Sequence, residues 1–484
     1  MQKKINLSKS KYIKEKIIIV IITFFFCFFE YNYLKKIFKK NISCENLDPF
    51  TTEKKILNSK PIVLCKSELT EHICFKNNFS FFAKKNGVIC MMKNFFLNFS
   101  NWKEDGYVYN GPVNKKTRGR ALISSGFFKM QCNIKGTISN YNYYLYKNYF
   151  NSWKYILNNQ FKNELYKTKE LCPGKVLFIL NRNQDSPNLL IGGAGFINAF
   201  SLMYLLRIKP EKIQVLFIES MKINNDPFYN LFKNIISRGG KPLYARNLDK
   251  NINYHVSNAI YVPINWDSPV FCKTEIPICL KISKTYKVLL KSIFKYLNIP
   301  EFLDRANYDK EIFLYPKSFN YSKLNDYKKY MTIQWRKPWP KNRKNQQRIL
   351  GNGEKMLEKL DSILYKKKFL IRLVDTARLS FEEQISLMQK TNYLLGIHGA
   401  GMFLSIFLPL KSIAHEIKSE DRKTPNRPQI AGILSGHKYY SDFVNIDIKN
   451  LDFQEKYFVD LNDLEKKVFK ILIENNFLNN NKMS

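Results

Sequence analysis

The chain has 484 residues, 45% of them hydrophobic and 25% charged. These proportions exclude a collagen-like, wholly disordered or small disulfide-stapled protein, and the length allows about three domains, or two and a tail. Lys and Arg number 79 against 40 Asp and Glu, but the excess is mostly lysine spread from end to end. That is a composition bias, not a binding stripe, so no nucleic-acid partner is expected.

The N-terminus speaks to compartment. Lys3, Lys4, Lys9, Lys11, Lys14 and Lys16 precede the apolar run IIIVIITFFFCFF at 17–29, which extends to Leu34. No small-x-small cleavage site follows, so Ile17 to Leu34 is predicted to be a single uncleaved signal-anchor transmembrane helix. Residues 1–16 would be a cytosolic basic tail. Lys35, Lys36, Lys39 and Lys40 make the positive-inside bias weak. Of nine Cys, Cys27 lies in that run; Cys44, Cys65, Cys74, Cys90, Cys132, Cys172, Cys272 and Cys279 allow up to four disulfides. No C-x-x-C occurs. Sequons begin at Asn41, Asn78, Asn98 and Asn320. The expectation is a type II membrane glycoprotein of the Golgi or endoplasmic reticulum with a luminal body. The C-terminus, NKMS, is no KDEL-type signal.

Residues 35–165 are irregular, aromatic and Cys-containing, a stem with an elaborated N-terminal region. Beyond them the pattern alternates. VLFIL (176–180), VLFIE (215–219) and AIYVP (259–263) read as strands, with helices over 190–206, 226–238 and 280–297. After a Tyr/Lys-rich linker at 305–328 the rhythm restarts, with strands at 331–335, 369–374, 393–397 and 412–417 and helices at 353–364 and 381–390. Ser380 and Glu383 form a capping box on the last of these. Strands and helices alternating in this way predict an α/β fold of two Rossmann-like domains facing a cleft, over 166–325 and 326–445. Residues 446–484 read as a helical tail, with apolar spacing over 454–478.

The stretch YLLGIHGAGMFLSIFLP at 393–409 carries the chemistry. A strand ends at Ile397; His398, Gly399, Ala400 and Gly401 make a tight turn; a short apolar helix follows. Small residues admit a ligand to the backbone, and a new helix offers free N–H groups to an anion, as a diphosphate requires. Arg336, Arg343 and Arg348 follow the 331–335 strand at what would be the carboxyl edge of a parallel sheet, where guanidinium forks can neutralise phosphates. Lys337, Lys341 and Lys344 beside them would equally suit a solvated basic loop. Glu416, ending a later strand, could accept from ribose hydroxyls. Asp375, ending the 369–374 strand, could touch a ligand or simply close a turn.

These residues resemble glycosyltransferase family 61. Its pattern is matched by Arg336, Arg348, Ile349, Glu354, Leu357, Gly396, His398, Gly399, Ala400, Gly401, Phe407, Leu408, Pro409 and Glu416. The resemblance implies a GT-B fold and inverting transfer from a nucleotide sugar held by the C-terminal domain. The first expectation is N-acetylglucosamine, moved from its UDP-sugar donor onto Ser/Thr or an O-glycan of a secretory glycoprotein acceptor. No D-x-D motif occurs, so no metal or other cofactor is expected. His398 is the candidate catalytic group, as base or leaving-group stabiliser, with Asp185 as a second. The family's N-x-x-H-H-x-x-D-F stretch would begin at Asn188, yet Leu190, Ile191, Gly192, Gly193, Ala194, Gly195 and Phe196 follow. Those glycines would form a phosphate-facing loop or a helix-packing surface. Their presence raises a second reading, a non-catalytic nucleotide-sugar-binding protein.

Overall fold

A computed structural model describes residues 62–77, 87–103, 122–135, 149–156, 168–181, 189–218, 226–262, 284–299, 312–337, 349–418 and 427–478, a few positions inside these ranges excepted. The predicted anchor, Ile17 to Leu34, lies outside them, as do Asn41 and Asn78. Among the described residues no helix is long and apolar enough to cross a membrane.

The Cys-containing region contributes β1 (Ile62–Lys66), β2 (Glu71–Asn77), β3 (Gly87–Asn98), the small pair β4 (Trp102–Lys103) and β5 (Leu122–Ile123), then β6 (Phe128–Gln131), β7 (Ile134–Lys135) and β8 (Trp153–Ile156). The alternating segment contributes β9 (Thr168–Glu170), β10 (Val176–Leu180), β11 (Ile213–Phe217), β12 (Leu243–Tyr244) and β13 (Asn253–Tyr261). All but β4 and β5 share one 11-stranded sheet, whose main path runs β12-β11-β10-β13-β3-β2-β1-β7. β10 to β13 are mutually parallel, whereas the long β3 pairs antiparallel with β13. The boundary expected near residue 165 therefore falls inside a sheet. β3 and β13 meet across a sequence gap that no local pattern reveals.

Two disulfides, Cys65–Cys132 and Cys74–Cys90, tie the antiparallel strands. They lie in a core built from Phe95, Phe128, Trp153 and Tyr261. Cys172 is a free thiol, and burial pushes it up to about 12. Cys44, Cys272 and Cys279 lie outside the described residues.

Helix α1 (Leu189–Leu205) covers the other face of this sheet, with α2 (Lys284–Tyr296) beside it. The predicted 226–238 helix is shorter: one turn, Tyr229–Leu231, runs into a π-helical segment, Phe232–Ile236.

The second sheet is built from β14 (Phe313–Leu314) and β15 (Lys329–Gln334). β16 (Ile349–Leu350) and helix α3 (Gly353–Leu364) follow in the chain. The sheet continues through β17 (Phe369–Val374), helix α4 (Phe381–Gln389), β18 (Tyr393–Ile397), a 3-10 helix (Ala400–Phe407), β19 (Ile413–Lys418), helix α5 (Arg427–Leu434) and β20 (Lys438–Phe443). Its order is β14-β17-β15-β18-β19-β20, parallel except for β14. Every residue of β17, β18 and β19 is buried, as a sheet covered on both faces requires. The capping box forms: Ser380 Oγ accepts from Glu383 N, and the Glu383 carboxylate accepts from Ser380 N.

The predicted helical tail instead opens with a hairpin, β21 (Ile446–Leu451) and β22 (Gln454–Val459), joined by β16. Ile446 and Ile448 alternate onto the core with Tyr457 and Val459 opposite, so period two prevails. Helix α6 (Leu461–Glu474) then begins at Asp460, whose carboxylate caps Asn462 N and Asp463 N.

Candidate functional site

Chain order creates the site. From β15 the chain moves to β17 on one side and then to β18 on the other, so the direction reverses between β15 and β18. In open parallel sheets the crevice at the carboxyl ends of two such strands is where ligands bind. Here those ends are Gln334 to Arg336 and His398 to Gly401.

Strand alternation decides which side chains share a face. Leu394 and Ala414 pack into the core that α1, α4 and the 3-10 helix cover, and Met331, Leu395 and Ile417 into the core under α3 and α6. Gln334, Gly396, His398, Glu416, Lys418, Tyr439 and Ser441 are in register with the first set. A polar row thus runs across the carboxyl edge of one face.

Its centre is a pair. His398 Nδ1 lies 2.6 Å from Glu416 Oε1, with the imidazole 12% exposed and the carboxylate fully buried. A carboxylate only accepts, so the imidazole places its proton on Nδ1, towards Glu416. The other oxygen, Oε2, lies 3.4 Å from Ser441 Oγ and 3.6 Å from Lys418 Nζ. Tyr439 also faces this carboxylate; burial, and then the Glu416 charge, push its phenol well above the ordinary range. Glu416 was expected against ribose hydroxyls, but the structure places both of its oxygens beside protein groups.

The turn has the predicted strand-turn-helix form. His398 N extends the β18–β19 ladder by donating to Ile417 O, and Gly399 precedes the 3-10 helix. The space around the glycines is already occupied. Gln334 Nε2 donates to Gly401 O at 2.9 Å. A Cβ on Gly401 would sit 3.0 Å from Gln334 Oε1, and one on Gly396 would sit 2.9 Å from the same atom and 2.8 Å from Met402 Sδ. Gly396 and Gly401 are therefore small partly to admit Gln334. Sequence reasoning passed over this residue because it stood as one polar position inside a strand.

The remaining predicted residues divide. Arg336 follows β15 at the crevice, half-buried, with its carbonyl held by Leu350 N. Trp335 beside it carries the Lys337 ammonium 3.6 Å above its ring. Arg343, Arg348 and Asp185 lie outside the described residues. Asp375 closes a turn: it accepts from Ala377 N and pairs with Arg378 Nε at 3.3 Å. Burial pushes its carboxyl upward. Of the sequons, Asn98 and Asn320 each accept from the backbone N–H and hydroxyl of the Ser two residues on.

The glycines of 192–195 lie in α1 and not in a loop. A Cβ on Gly193 would run into the Phe403 ring of the 3-10 helix. This is helix packing, the second of the two alternatives, and it seats α1 against the segment that follows His398.

Among the described residues, one group has metal-ligand chemistry: His72, Cys74 and Cys90. Its two sulfurs form a disulfide, and the His72 nitrogens face Tyr149 and Tyr155 hydroxyls at 3.1 and 3.0 Å. This oxidised arrangement has no thiolate to offer a metal.

Residues 256–414 match the family model described as Glycosyltransferase 61. The match covers about a third of the chain, from within β13 to the start of β19, and includes His398 and its turn. Over this stretch the chain resembles that family, which supports glycosyltransferase activity. No curated protein matches the chain.

Proposed function

We propose that the chain is an inverting glycosyltransferase with a GT-B arrangement, working without a metal. The crevice between β15 and β18 holds the diphosphate of a UDP-sugar, and the acceptor hydroxyl enters from the side of the first sheet. The observation that carries this reading is the buried His398–Glu416 pair at the reversal point, with His398 inside the matched stretch.

The residues divide the chemistry. Glu416 orients His398, whose Nε2 takes the proton of the acceptor hydroxyl. As that oxygen bonds to the anomeric carbon, the bond from this carbon to the diphosphate breaks, and the electron pair leaves with UDP. Attack opposite the leaving group inverts the centre. Arg336 and Arg348, with the amides of Gly399 to Gly401, meet the developing phosphate charge.

The donor in this reading is UDP-N-acetylglucosamine and the acceptor a Ser/Thr or O-glycan of a secretory glycoprotein. The supports are the residues shared with the family and the apolar segment at 17–34, which would place the body in the lumen as a type II protein of the Golgi or endoplasmic reticulum. Calorimetry with UDP, paired with transfer of labelled sugar to acceptor peptides, tests it. His398→Ala is expected to lower transfer about 10²–10⁴-fold while UDP affinity is kept. Undiminished transfer by that variant overturns the assignment.

One observation favours a second reading. Ile191, Gly192 and Gly195, all within α1, stand where the family pattern would place two His and an Asp on the acceptor side. A nucleotide-sugar-binding protein without transferase activity would bind UDP tightly and transfer nothing.

A further inference from the structure

We infer that Lys418 is a positioning residue for this site: its ammonium anchors the Glu416 carboxylate, which keeps the His398 proton on Nδ1 and so fixes the tautomer and orientation of the ring. The inference rests on the proposed role of His398 and deepens it. The family match ends at residue 414, before both Glu416 and Lys418.

The starting point is a lysine in an unusual place. Lys418 is the last residue of β19 and only 4% exposed, whereas most of the described lysines are exposed or half-exposed. Burying an ammonium is unfavourable unless a counter-charge and hydrogen-bond acceptors receive it. For stability alone, an apolar pair in place of both charges often does as well, whereas loss of one partner leaves the other charge buried and uncompensated.

Strand geometry explains which group receives it. Residues two apart on a strand share a face, so Lys418 stands directly beyond Glu416, and Nζ lies 3.6 Å from Oε2. The partners of that carboxylate then separate cleanly. Oε1 serves His398 Nδ1 at 2.6 Å; Oε2 serves the cation and Ser441 Oγ. Rotating the carboxylate to release His398 would also move Oε2 from the ammonium and the hydroxyl. One charge thereby fixes a second residue, which fixes the tautomer of a third.

Among the described groups the others at this carboxylate, Ser441 and Tyr439, are neutral, while Lys418 brings a charge. Tyr439 approaches the same carboxylate from β20 with a protonated phenol. Asp442 lies on the opposite face with His415. The 3-10 helix, AGMFLSIF, carries no charged side chain. Arg336 stands at the end of β15, on the ligand side of the crevice.

The test uses the whole protein with ¹⁵N-labelled histidine and lysine. In the ligand-free wild type, His398 is expected to show the nitrogen shifts of the Nδ1–H tautomer. Lys418 Nζ should show a slowly exchanging ammonium signal. Lys418→Met should give a mixture of tautomers and lower kcat for transfer about ten- to a hundredfold, with donor KM unchanged. Lys418→Arg should restore both readouts. An unchanged tautomer in folded Lys418→Met overturns the inference. If that variant does not fold, a fast-exchanging Lys418 ammonium in the wild type overturns it. The tautomer is read without substrate, so it stands apart from transfer. A fixed tautomer with full activity in His398→Ala would defeat the role of His398 and leave that of Lys418 intact.

Discussion

The two sheets contain the same topological device and use it differently. In the first, the chain runs from β10 to β11 on one side and returns to β13 on the other; in the second, β17 and β18 flank β15 in the same way. At the second reversal a turn of small residues is followed by a row of polar side chains. At the first, residues 182–188 between Asn181 and α1 lie outside the described residues, and α1 itself has no acidic or basic residue in 17 positions. Its glycine at 193 lets the Phe403 ring close onto it. A parallel sheet offers a crevice wherever its winding reverses. Whether chemistry happens there depends on which side chains stand at the strand ends; α1 of the first half presents packing to its neighbour.

This contrast is open to direct attack. Glu416→Leu should be the most damaging change, because it takes the carboxylate from a buried ammonium and imidazole. A loss of about 3–5 kcal/mol in urea unfolding is expected. A loss below about 1 kcal/mol would show that the polar row is solvated and the contrast false. Gly193→Val probes the packed half. It overfills the contact with Phe403 and should lose about 1–3 kcal/mol, part of which Phe403→Ala restores. Absence of that rescue would detach α1 from the 3-10 helix.

Acid unfolding separates the halves by smaller steps. Burial holds His72 down at about 3 and His437 at about 4. Both lie below the unfolded value of about 6.5, so between those limits the unfolded chain binds more protons. Their stability is complete above about pH 6.5 and falls with pH by about 1.4 kcal/mol per unit for each. His72 lies in the first half and His437 in the second, so hydrogen exchange at pH 5 should show both loosening. A change in only one would locate the acid-sensitive half. The smallest effect belongs to Asp442, whose carboxyl is held below its ordinary range mainly by the hydrogen bond to His415. Its contribution is present above the unfolded carboxylate value and lost as pH falls through the folded one. Asp442 is more than a third exposed, so Asp442→Asn should cost only about 0.5 kcal/mol at neutral pH.

Much of this architecture was readable residue by residue. Apolar runs such as FLIRLV and YLLGI announced buried parallel strands, the Ser380 box announced a helix start, and H-G-A-G announced a turn into a helix. Other features left no local trace. Lys418 stood one position beyond the predicted end of its strand, in a chain where lysine is everywhere. Gln334 was an ordinary polar residue until its carboxamide reached Gly401 O. The period-two hairpin of 446–459 was masked by apolar residues that also fit a helical spacing.

What the sequence determined by itself was local: the order of strands and helices, the small residues after β18, and the identity of the groups available at that edge. Those follow from backbone propensity and periodicity, which act over a few residues. Tertiary structure alone decided who meets whom. His398 and Glu416 are 18 residues apart, and they meet because Gly396 is in register with Glu416 in the ladder between β18 and β19. Cys65 meets Cys132 because β7 returns beside β1. Register and strand order are set by burying two faces at once, a constraint that no single segment carries.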